Sequence, residues 1–397
     1  MTGIYVHLPF CPYICPYCDF AKWPHKRSLA DRYLQALYCE IEGLPLVERA
    51  ERAPRGAEPV LSNVEAIPQH DSDTVFLGGG TPNTYAAGEI AELLARIGDV
   101  FPGEPGRETT IEVNPELVSA AELNAYVAAG VTRLSIGVQS FVASEIRTLG
   151  RRHEPRDVRT AVEAARAAGV QSVSLDLIFG VPGQTPQSWR ESLEAALALH
   201  PDHISTYGLT VETGTPYAAW QEREPGAFPD QDAEADLYEI AIDVLERAGF
   251  EHYEISNFAR PSHRCAHNAN YWANGEYVGL GVGAASYRDG VRSTHTRDLE
   301  AYMSAALEGR MIPQESERLE GARRAGEAVM LALRTAQGLS FAAFKERYGF
   351  EFLEYYAQIV EPYRTAGLLE IDAAGARLTR RGRFVANDIC ATFITLP

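Results

Sequence analysis

The sequence predicts an α/β fold in which parallel strands form a partial barrel or an open sheet. Two observations lead to this prediction: short apolar runs typical of buried strands recur along the chain, and helix-like stretches lie between several of them. Alternation of strands and helices is typical of βα architectures. The apolar runs are Gly3 to Leu8, Thr74 to Leu77, Thr109 to Val113, Arg133 to Val138, Ser172 to Ile178 and His203 to Leu209.

The stretches between the runs have helical character and end near glycine in places, as at Ala168 and Gly169. In βα folds the reactive groups gather at the carboxyl ends of the strands, and here polar and glycine-rich segments follow the apolar runs. The segment Glu51 to Asp73 has no clear periodicity, so we expect a surface insertion without a catalytic role. The predicted helices include Leu29 to Ile41, Ile90 to Ile97, Val158 to Ala168 and Ser188 to Leu199.

The pattern changes after residue 300, which predicts a barrel domain over residues 1–295 and a small C-terminal domain over residues 300–397. Helices are expected at Ala322 to Arg334 and Phe341 to Tyr348, with a hairpin from Leu368 to Leu378. This order predicts a helical domain of winged-helix type. Because the whole chain is acidic, we expect this domain to have a docking or covering role rather than to bind DNA.

Composition narrows the classes of function. The chain has 397 residues and a net charge of −18, which disfavours a nucleic-acid partner because such binding depends on Lys and Arg. No long apolar run or signal-peptide pattern is present, so a soluble cytoplasmic protein is expected. Six cysteines are too few for a disulfide scaffold in a chain of this length, and three of them lie within eight residues of one another. This clustering indicates a metal site in a reducing compartment.

The three clustered cysteines follow the first predicted strand as Cys11-x3-Cys15-x2-Cys18. This spacing allows three thiolates to converge on one inorganic centre, and an iron–sulfur cluster held by only three cysteines keeps one iron open for an outside ligand. A structural zinc site completed by His7 or His25 is an alternative. Chance spacing of buried thiols is another.

The segment from Tyr5 to Phe20 resembles the cluster loop of radical-SAM proteins, in particular the group related to oxygen-independent coproporphyrinogen III oxidase. The resemblance extends over most of the chain. It implies a radical-SAM partial (β/α)6 barrel with a [4Fe-4S] cluster on Cys11, Cys15 and Cys18. It also implies S-adenosylmethionine bound to the open iron, where one-electron cleavage gives a 5'-deoxyadenosyl radical.

Other segments supply candidate contacts for S-adenosylmethionine. Gly78 to Pro82 directly follows the second strand, where glycines let the backbone approach a ligand, although a tight turn alone would also explain them. Polar residues at later strand ends could instead be satisfied structural groups. The resemblance to the oxidases implies that the contacts are made by Tyr5, Tyr17, Gly79, Gly80, Thr81, Glu112, Gln139, Arg151, Asp176 and Gly208.

Two departures separate this chain from the oxidases. Phe20 stands where they typically have a fourth cysteine, and the cluster loop begins ten residues into the chain, without their long amino-terminal segment. The segments Tyr253 to Phe258 and Cys265 to Trp272 instead resemble the HemW branch of heme chaperones, which is marked by His-Asn-x-x-Tyr-Trp. The resemblance implies that His267 ligates heme; from the residues alone, a hydrogen-bonded structural histidine is the simpler interpretation.

The remaining cysteines and glycines receive minor roles. Cys265 is a conceivable heme ligand, whereas Cys39 and Cys390 are expected to be small buried hydrophobes on helices. The glycines from Gly279 to Gly283 have the spacing of a nucleotide turn. They lack the other parts of a Rossmann unit, so we expect close packing near the barrel edge.

The expected function is that of a heme chaperone that binds heme and transfers it to heme-requiring proteins, using a [4Fe-4S] cluster and S-adenosylmethionine. Oxygen-independent coproporphyrinogen III dehydrogenase is the alternative, followed by a radical-SAM enzyme with another substrate. The implied partners are heme, heme-accepting proteins with respiratory proteins as candidates, and an electron donor if the radical forms. Transient membrane docking and a homodimer stay open.

Overall fold

The computed structural model describes residues 2–44 and 72–394 of the chain. The predicted insertion from Glu51 to Asp73 therefore lies outside the described residues, apart from Ser72 and Asp73. Within the described part, no helix is long and apolar enough to span a lipid bilayer.

The chain alternates between strands and helices. The strands are β1 (Thr2–Leu8), β2 (Phe10–Cys11), β3 (Trp23–Pro24), β4 (Thr74–Gly79), β5 (Glu108–Val113), β6 (Arg133–Gln139), β7 (Ser172–Phe179), β8 (His203–Gly208), β9 (Glu251–His252), β10 (Asn257–Ala259), β11 (Glu276–Leu280), β12 (Ala285–Arg288), β13 (Val291–His295), β14 (Gln314–Arg318), β15 (Leu339–Ser340), β16 (Leu369–Ile371) and β17 (Gly375–Leu378). The α-helices are α1 (Arg27–Gly43), α2 (Ala87–Val100), α3 (Ala120–Ala128), α4 (Ala143–Thr148), α5 (Pro155–Ala168), α6 (Pro186–Leu197), α7 (Pro216–Arg223), α8 (Gln231–Arg247), α9 (Ala266–Trp272), α10 (Leu299–Leu307), α11 (Gly321–Leu333), α12 (Phe341–Tyr348), α13 (Phe352–Thr365), α14 (Arg380–Arg383) and α15 (Ala386–Ile394).

A twelve-stranded mixed sheet forms the main body, in the order β14-β13-β12-β11-β1-β4-β5-β6-β7-β8-β10-β9. The six predicted strands are confirmed as β1, β4, β5, β6, β7 and β8, and they pair in parallel in their order along the chain. The radical-SAM α/β fold class is therefore confirmed. A seventh parallel strand, β11, pairs with β1 and was not predicted, since its short sequence runs directly into the glycine segment.

Burial explains why the central strands read as apolar runs. Strand β7 is buried at every position except Asp176, because parallel strands are covered by helices on the face opposite the barrel interior. The predicted helices are confirmed within a few residues as α1, α2, α5 and α6. Helix α5 ends at Gly169, whose φ of 84° is the left-handed cap that glycine favours.

The glycines in and directly after β11 are positions of close packing, as predicted. A Cβ on Gly279 would lie 2.1 Å from the Ala285 carbonyl oxygen. One on Gly281, where φ is +101°, would lie 2.4 Å from Tyr33 Oη and 2.7 Å from the His7 carbonyl oxygen. Only glycine lets these backbones approach so closely.

The C-terminal part has its own hydrophobic cluster, which includes residues from Ala325 to Phe393. It combines α11, α12, α13 and α15 with a three-stranded antiparallel sheet in the order β15-β17-β16. The predicted hairpin is present as β16 and β17. Strand β14 lies after residue 300 but extends the large sheet. The winged-helix type and the boundary between residues 295 and 300 stay predictions.

The prediction for one cysteine was wrong. Cys39 is exposed on α1, whereas Cys390 is buried on α15 as expected. The face of α1 that packs inward carries Leu37, Glu40 and Ile41, so the periodicity places position 39 on the solvent side. The buried Glu40 carboxylate there is satisfied by the Gly281 N–H and other polar groups.

Candidate functional site

A cavity of about 540 Å³ opens at the carboxyl ends of the parallel strands. It brings together segments that are far apart in the sequence, as βα folds do. The predicted residues that line it are Cys11, Cys15, Tyr17, Cys18, Gly79, Gly80, Thr81, Glu112, Gln139, Arg151, Asp176 and Gly208. Two predicted site residues, Tyr5 and His267, do not line it.

The cysteine loop is closed at its base by the short parallel pair β2 and β3. The Trp23 N–H donates to the Pro9 carbonyl at 2.9 Å, and the His25 N–H donates to the Cys11 carbonyl at 2.8 Å. Cys11 is buried, while Cys15 and Cys18 are half-buried. The loop therefore presents three thiols to one cavity from a single anchored segment.

Burial is the main influence on the pKa of two of these thiols, Cys11 and Cys18. It raises the pKa of Cys11 to about 11, although a hydrogen bond with Thr81 acts in the opposite direction, and it also raises the pKa of Cys18. Metal binding would have to deprotonate such thiols, as it does at metal sites generally. In residues 2–44 and 72–394, no three His, Cys, Asp or Glu side chains stand close enough together to hold an ion.

The turn after β4 forms one wall of the cavity and requires glycine. Gly79 has a φ of +105°, and a Cβ there would lie 2.4 Å from the His7 imidazole. A Cβ on Gly80 would lie 2.7 Å from the Leu8 carbonyl oxygen. The Thr81 N–H donates to the Phe10 carbonyl at 2.9 Å, which holds the turn against the start of the cysteine loop. Glycine thus lets this turn pack directly against β1 and the start of the cysteine loop.

Two carboxylates occupy the cavity floor. Burial, followed by the charge of Asp176, raises the pKa of Glu112 to about 7, although the Gly79 N–H donates to this carboxylate at 3.2 Å. Burial also raises the pKa of Asp176, against the effect of three hydroxyl donors. Such groups can accept hydrogen bonds from a polar ligand. The hydroxyl donors to Asp176 belong to Ser135, Ser174 and Ser205.

Sequence reasoning missed those three serines as site residues. They lie on β6, β7 and β8, and all three line the cavity. A signal was available, because a polar residue within an otherwise apolar strand faces the barrel interior on several neighbouring strands. Pairing of the strands then places the hydroxyls around one carboxylate.

Strained backbone and an unpaired donor mark the other side of the cavity. Gln139 has a φ of +65°, and the pairing of β6 with β7 shifts register between Gly137 and Gln139. Arg151 donates through Nη2 to Asn114 Oδ1 and to the Gly137 carbonyl, each at 2.7 Å. Its buried Nε has no hydrogen-bond partner among the described residues. Positive φ at a non-glycine residue and an orphaned buried donor are typical of ligand sites.

Tyr5 and His267 lie outside this cavity. Tyr5 is hydrogen bonded through Oη to His7 Nδ1 at 3.0 Å and lines a second cavity instead. His267 is 1% exposed, with Nδ1 at 2.8 Å from Thr74 Oγ1 and Nε2 at 2.8 Å from Tyr271 Oη. Burial lowers the pKa of His267 to about 3. Both imidazole nitrogens are therefore hydrogen bonded in this conformation, and ligation of heme by His267 stays a prediction.

The zinc alternative loses one of its candidate ligands. Both nitrogens of His7 are hydrogen bonded, Nε2 to the Ala21 carbonyl at 2.7 Å, and the ring lines the second cavity. Cys265 lines the main cavity but is buried beside Glu108, and burial raises its thiol pKa to about 12. Soft thiolate donors, a glycine cradle and an unpaired guanidinium N–H together fit an iron–sulfur cluster with a polar nucleoside ligand better.

The fold and this site define a radical SAM protein. The model of the radical SAM superfamily matches residues 5–196, and the model of the HemN C-terminal domain matches residues 319–385. The chain is similar to the heme chaperone HemW of Bacillus subtilis, with 32% identity over 99% of both chains. It is 34% identical to HemW of Mycobacterium tuberculosis over 99% of this chain and 94% of that one. The chain therefore belongs to the HemW family of the radical SAM superfamily.

A solved structure supports the fold over the whole chain. The radical SAM coproporphyrinogen III oxidase HemN of Escherichia coli superimposes with a TM-score of 0.82 and 25% identity, covering 99% of this chain and 90% of the oxidase. The alignment thus includes the C-terminal part as well as the barrel. The main body and its C-terminal extension share the architecture of that enzyme.

Proposed function

We propose that this chain is a heme chaperone, which binds heme and transfers it to heme-requiring proteins. Its end-to-end similarity to heme chaperones named HemW carries the proposal. Phe20, in place of the fourth cysteine typical of the oxidases, supports the chaperone branch. The aromatic residues around Tyr271 offer flat apolar surface of the kind a porphyrin requires.

The cofactors proposed are a [4Fe-4S] cluster on Cys11, Cys15 and Cys18, and S-adenosylmethionine beside it. When bound, the pair would supply one-electron cleavage of the sulfonium bond. The turn from Gly79 would lie beside the polar end of this ligand, and Glu112 would accept a hydrogen bond from it. The other proposed contacts are Tyr17, Gly80, Thr81, Gln139, Arg151, Asp176 and Gly208, with Tyr5 acting from the second cavity.

Partners and location are proposed with the same function. Heme-accepting proteins, with respiratory proteins as candidates, would take the cargo, and an electron donor would be needed if the radical forms. The proposed compartment is the cytoplasm, where thiols stay reduced. A homodimer and transient docking at a membrane through a partner are compatible with the same function.

The test is anaerobic heme titration of the reconstituted chain, followed by absorbance, after iron and sulfide have been measured. Saturable binding at a fixed stoichiometry, with transfer to an apo-heme protein, is the expected result. Absence of heme binding by cluster-loaded protein would overturn the proposal. Absence of iron and sulfide after reconstitution would overturn the cofactor assignment independently.

A second candidate function is oxidative decarboxylation of coproporphyrinogen III, favoured by the structural similarity to the HemN oxidase. Cluster-loaded chain would then release carbon dioxide from the porphyrinogen in the presence of S-adenosylmethionine and reductant. We expect no release above that of a cysteine-to-alanine control. Turnover of the porphyrinogen would contradict a function as a heme chaperone alone.

A further inference from the structure

A second cavity of about 610 Å³ lies between α9 and the strands β11 to β13, outside the cavity that holds the cysteines. Its walls are largely aromatic. Tyr5, Tyr271, Trp272 and Tyr277 line it, and the rings of Tyr271 and Tyr277 meet edge to face at 4.7 Å between centroids. The size is within the range of cavities that hold cofactor-sized molecules. The shape and lining favour a flat apolar ligand.

Two arginines line the cavity, although the chain carries a net charge of −18. These are Arg292 and Arg297, and no Asp or Glu appears among its described lining residues. Arg292 pairs with Glu327, with Nη1 2.7 Å from the carboxylate. The Arg297 Nη2 donates to the Asp19 backbone carbonyl and lies 3.5 Å from the Asp19 carboxylate, and the side chain is 60% exposed. Because an ion pair this exposed contributes little to stability, Arg297 can exchange the Asp19 carboxylate for another.

The lining combines two arginines with aromatic side chains. Guanidinium groups and aromatic walls together suit an aromatic ligand that carries carboxylates.

We propose that this second cavity is the cargo site, which takes a porphyrin between its aromatic walls and binds a carboxylate of that porphyrin through Arg297. The inference rests on the proposed heme-chaperone function and locates heme binding in the second cavity. It also moves the site away from direct ligation by His267, which sits behind Tyr271 and does not line the cavity.

The cargo site adjoins the cysteine cavity. Phe20 and Arg297 line both cavities, and Phe20 is 65% exposed. An apolar ring exposed to this degree beside the cysteine loop is available to contact a porphyrin edge. The residue that replaces the oxidase cysteine would thus form the wall between cargo and cluster.

The test compares heme with heme dimethyl ester, which lacks charged carboxylates, in anaerobic titrations of cluster-loaded chain under identical detergent conditions. We expect Arg297→Ala to weaken heme binding about tenfold and to leave ester binding unchanged, since one charge-assisted contact is removed. The matched control is Arg310→Ala, because Arg310 is 56% exposed, pairs with Glu308 and lines neither cavity. Phe20→Ala should weaken the binding of both ligands.

The outcomes separate the two proposals. If the intact chain binds neither ligand, the heme-chaperone function itself fails. The carboxylate contact is overturned, while the function stands, if the intact chain binds heme and Arg297→Ala weakens the binding of heme and of the ester equally. The same holds if Arg297→Ala weakens the binding of neither ligand. Iron and sulfide contents, measured in each variant, show whether a loss of binding follows from loss of the cluster loop instead.

Discussion

His267 and Tyr271 form a hydrogen-bonded pair, with Nε2 and Oη 2.8 Å apart, on one face of the short helix α9. Thr74 Oγ1 holds the other imidazole nitrogen at 2.8 Å. Since Tyr271 lines the second cavity and His267 does not, the histidine reaches that cavity only through the tyrosine. Spacing of four residues on a helix makes this contact possible.

This pair predicts the outcome of a double-mutant cycle. His267→Ala and Tyr271→Phe should each weaken heme binding several-fold, because each removes the bond that fixes the Tyr271 ring. The double variant should be little weaker than either single variant, since contacting residues are not additive. Anaerobic heme titration measures all four proteins. A loss confined to His267→Ala, with an altered Soret band, would instead show direct ligation by the histidine.

The cysteine loop predicts selective loss of iron. Replacement of Cys11, Cys15 or Cys18 by alanine should abolish the cluster, because each removes one of three thiolates at a single centre. Iron content, sulfide content and the visible absorbance of the cluster are the readouts. Cys390→Ala is the control, since this thiol is buried in the C-terminal cluster. Equal iron loss in the control would contradict the assignment.

The glycine turn predicts a steric effect. Gly79→Ala would place a Cβ 2.4 Å from the His7 imidazole at a φ of +105°. We expect a loss of about 1–3 kcal/mol in the free energy of unfolding, from strain, together with weaker binding of S-adenosylmethionine. Denaturant unfolding and equilibrium dialysis measure the two effects.

A glycine elsewhere provides the matched control for that variant. Gly98 lies inside α2 with no atom within 4 Å of an added Cβ, so Gly98→Ala should stabilise the chain by about 0.5–1 kcal/mol and leave ligand binding unchanged. If Gly79→Ala behaved like Gly98→Ala in both measurements, the turn would have no cradle role.

His252 predicts a pH dependence of stability. Burial, then the charge of Arg383, lowers the pKa of His252 to about 3, and its ring stacks on Phe258 at 4.1 Å. Below about pH 6.5 the unfolded chain binds a proton that the folded chain excludes. The histidine's contribution to stability is therefore full above about pH 6.5 and is lost as the pH falls toward 3.

The measurement compares the wild-type chain with His252→Gln by denaturant unfolding at several pH values. Buried carboxylates such as Glu112 titrate in both proteins, so their effects cancel in the difference. The stability advantage of the wild type should shrink by about 1.4 kcal/mol per pH unit below about pH 6.5. A difference that did not change with pH would show that the pKa of His252 is the same in the folded and the unfolded chain.

The strand order and most of the main cavity could be predicted from local pattern. Apolar runs of four to seven residues indicated buried strands, and parallel pairing then places every strand end at one edge. Glu112, Gln139 and Asp176 were found because each is polar at such a position. Strand β11 and the exposure of Cys39 were missed because a short run and a single helical position carry little signal.

The sequence by itself determined the α/β class and the position of the cysteine loop after the first strand, because those depend on short-range periodicity and on strand ends. The residues expected around the loop came from the resemblance to a known family. Only the tertiary structure decided which side chains contact His267 and formed the second cavity. Whether an imidazole faces a cavity depends on which side chains pack around it, here Thr74 from β4 and Tyr271 from α9, 193 residues and four residues away along the chain. The joining of Arg297, Phe20 and Tyr271 around one space likewise depends on packing between segments that local pattern does not connect.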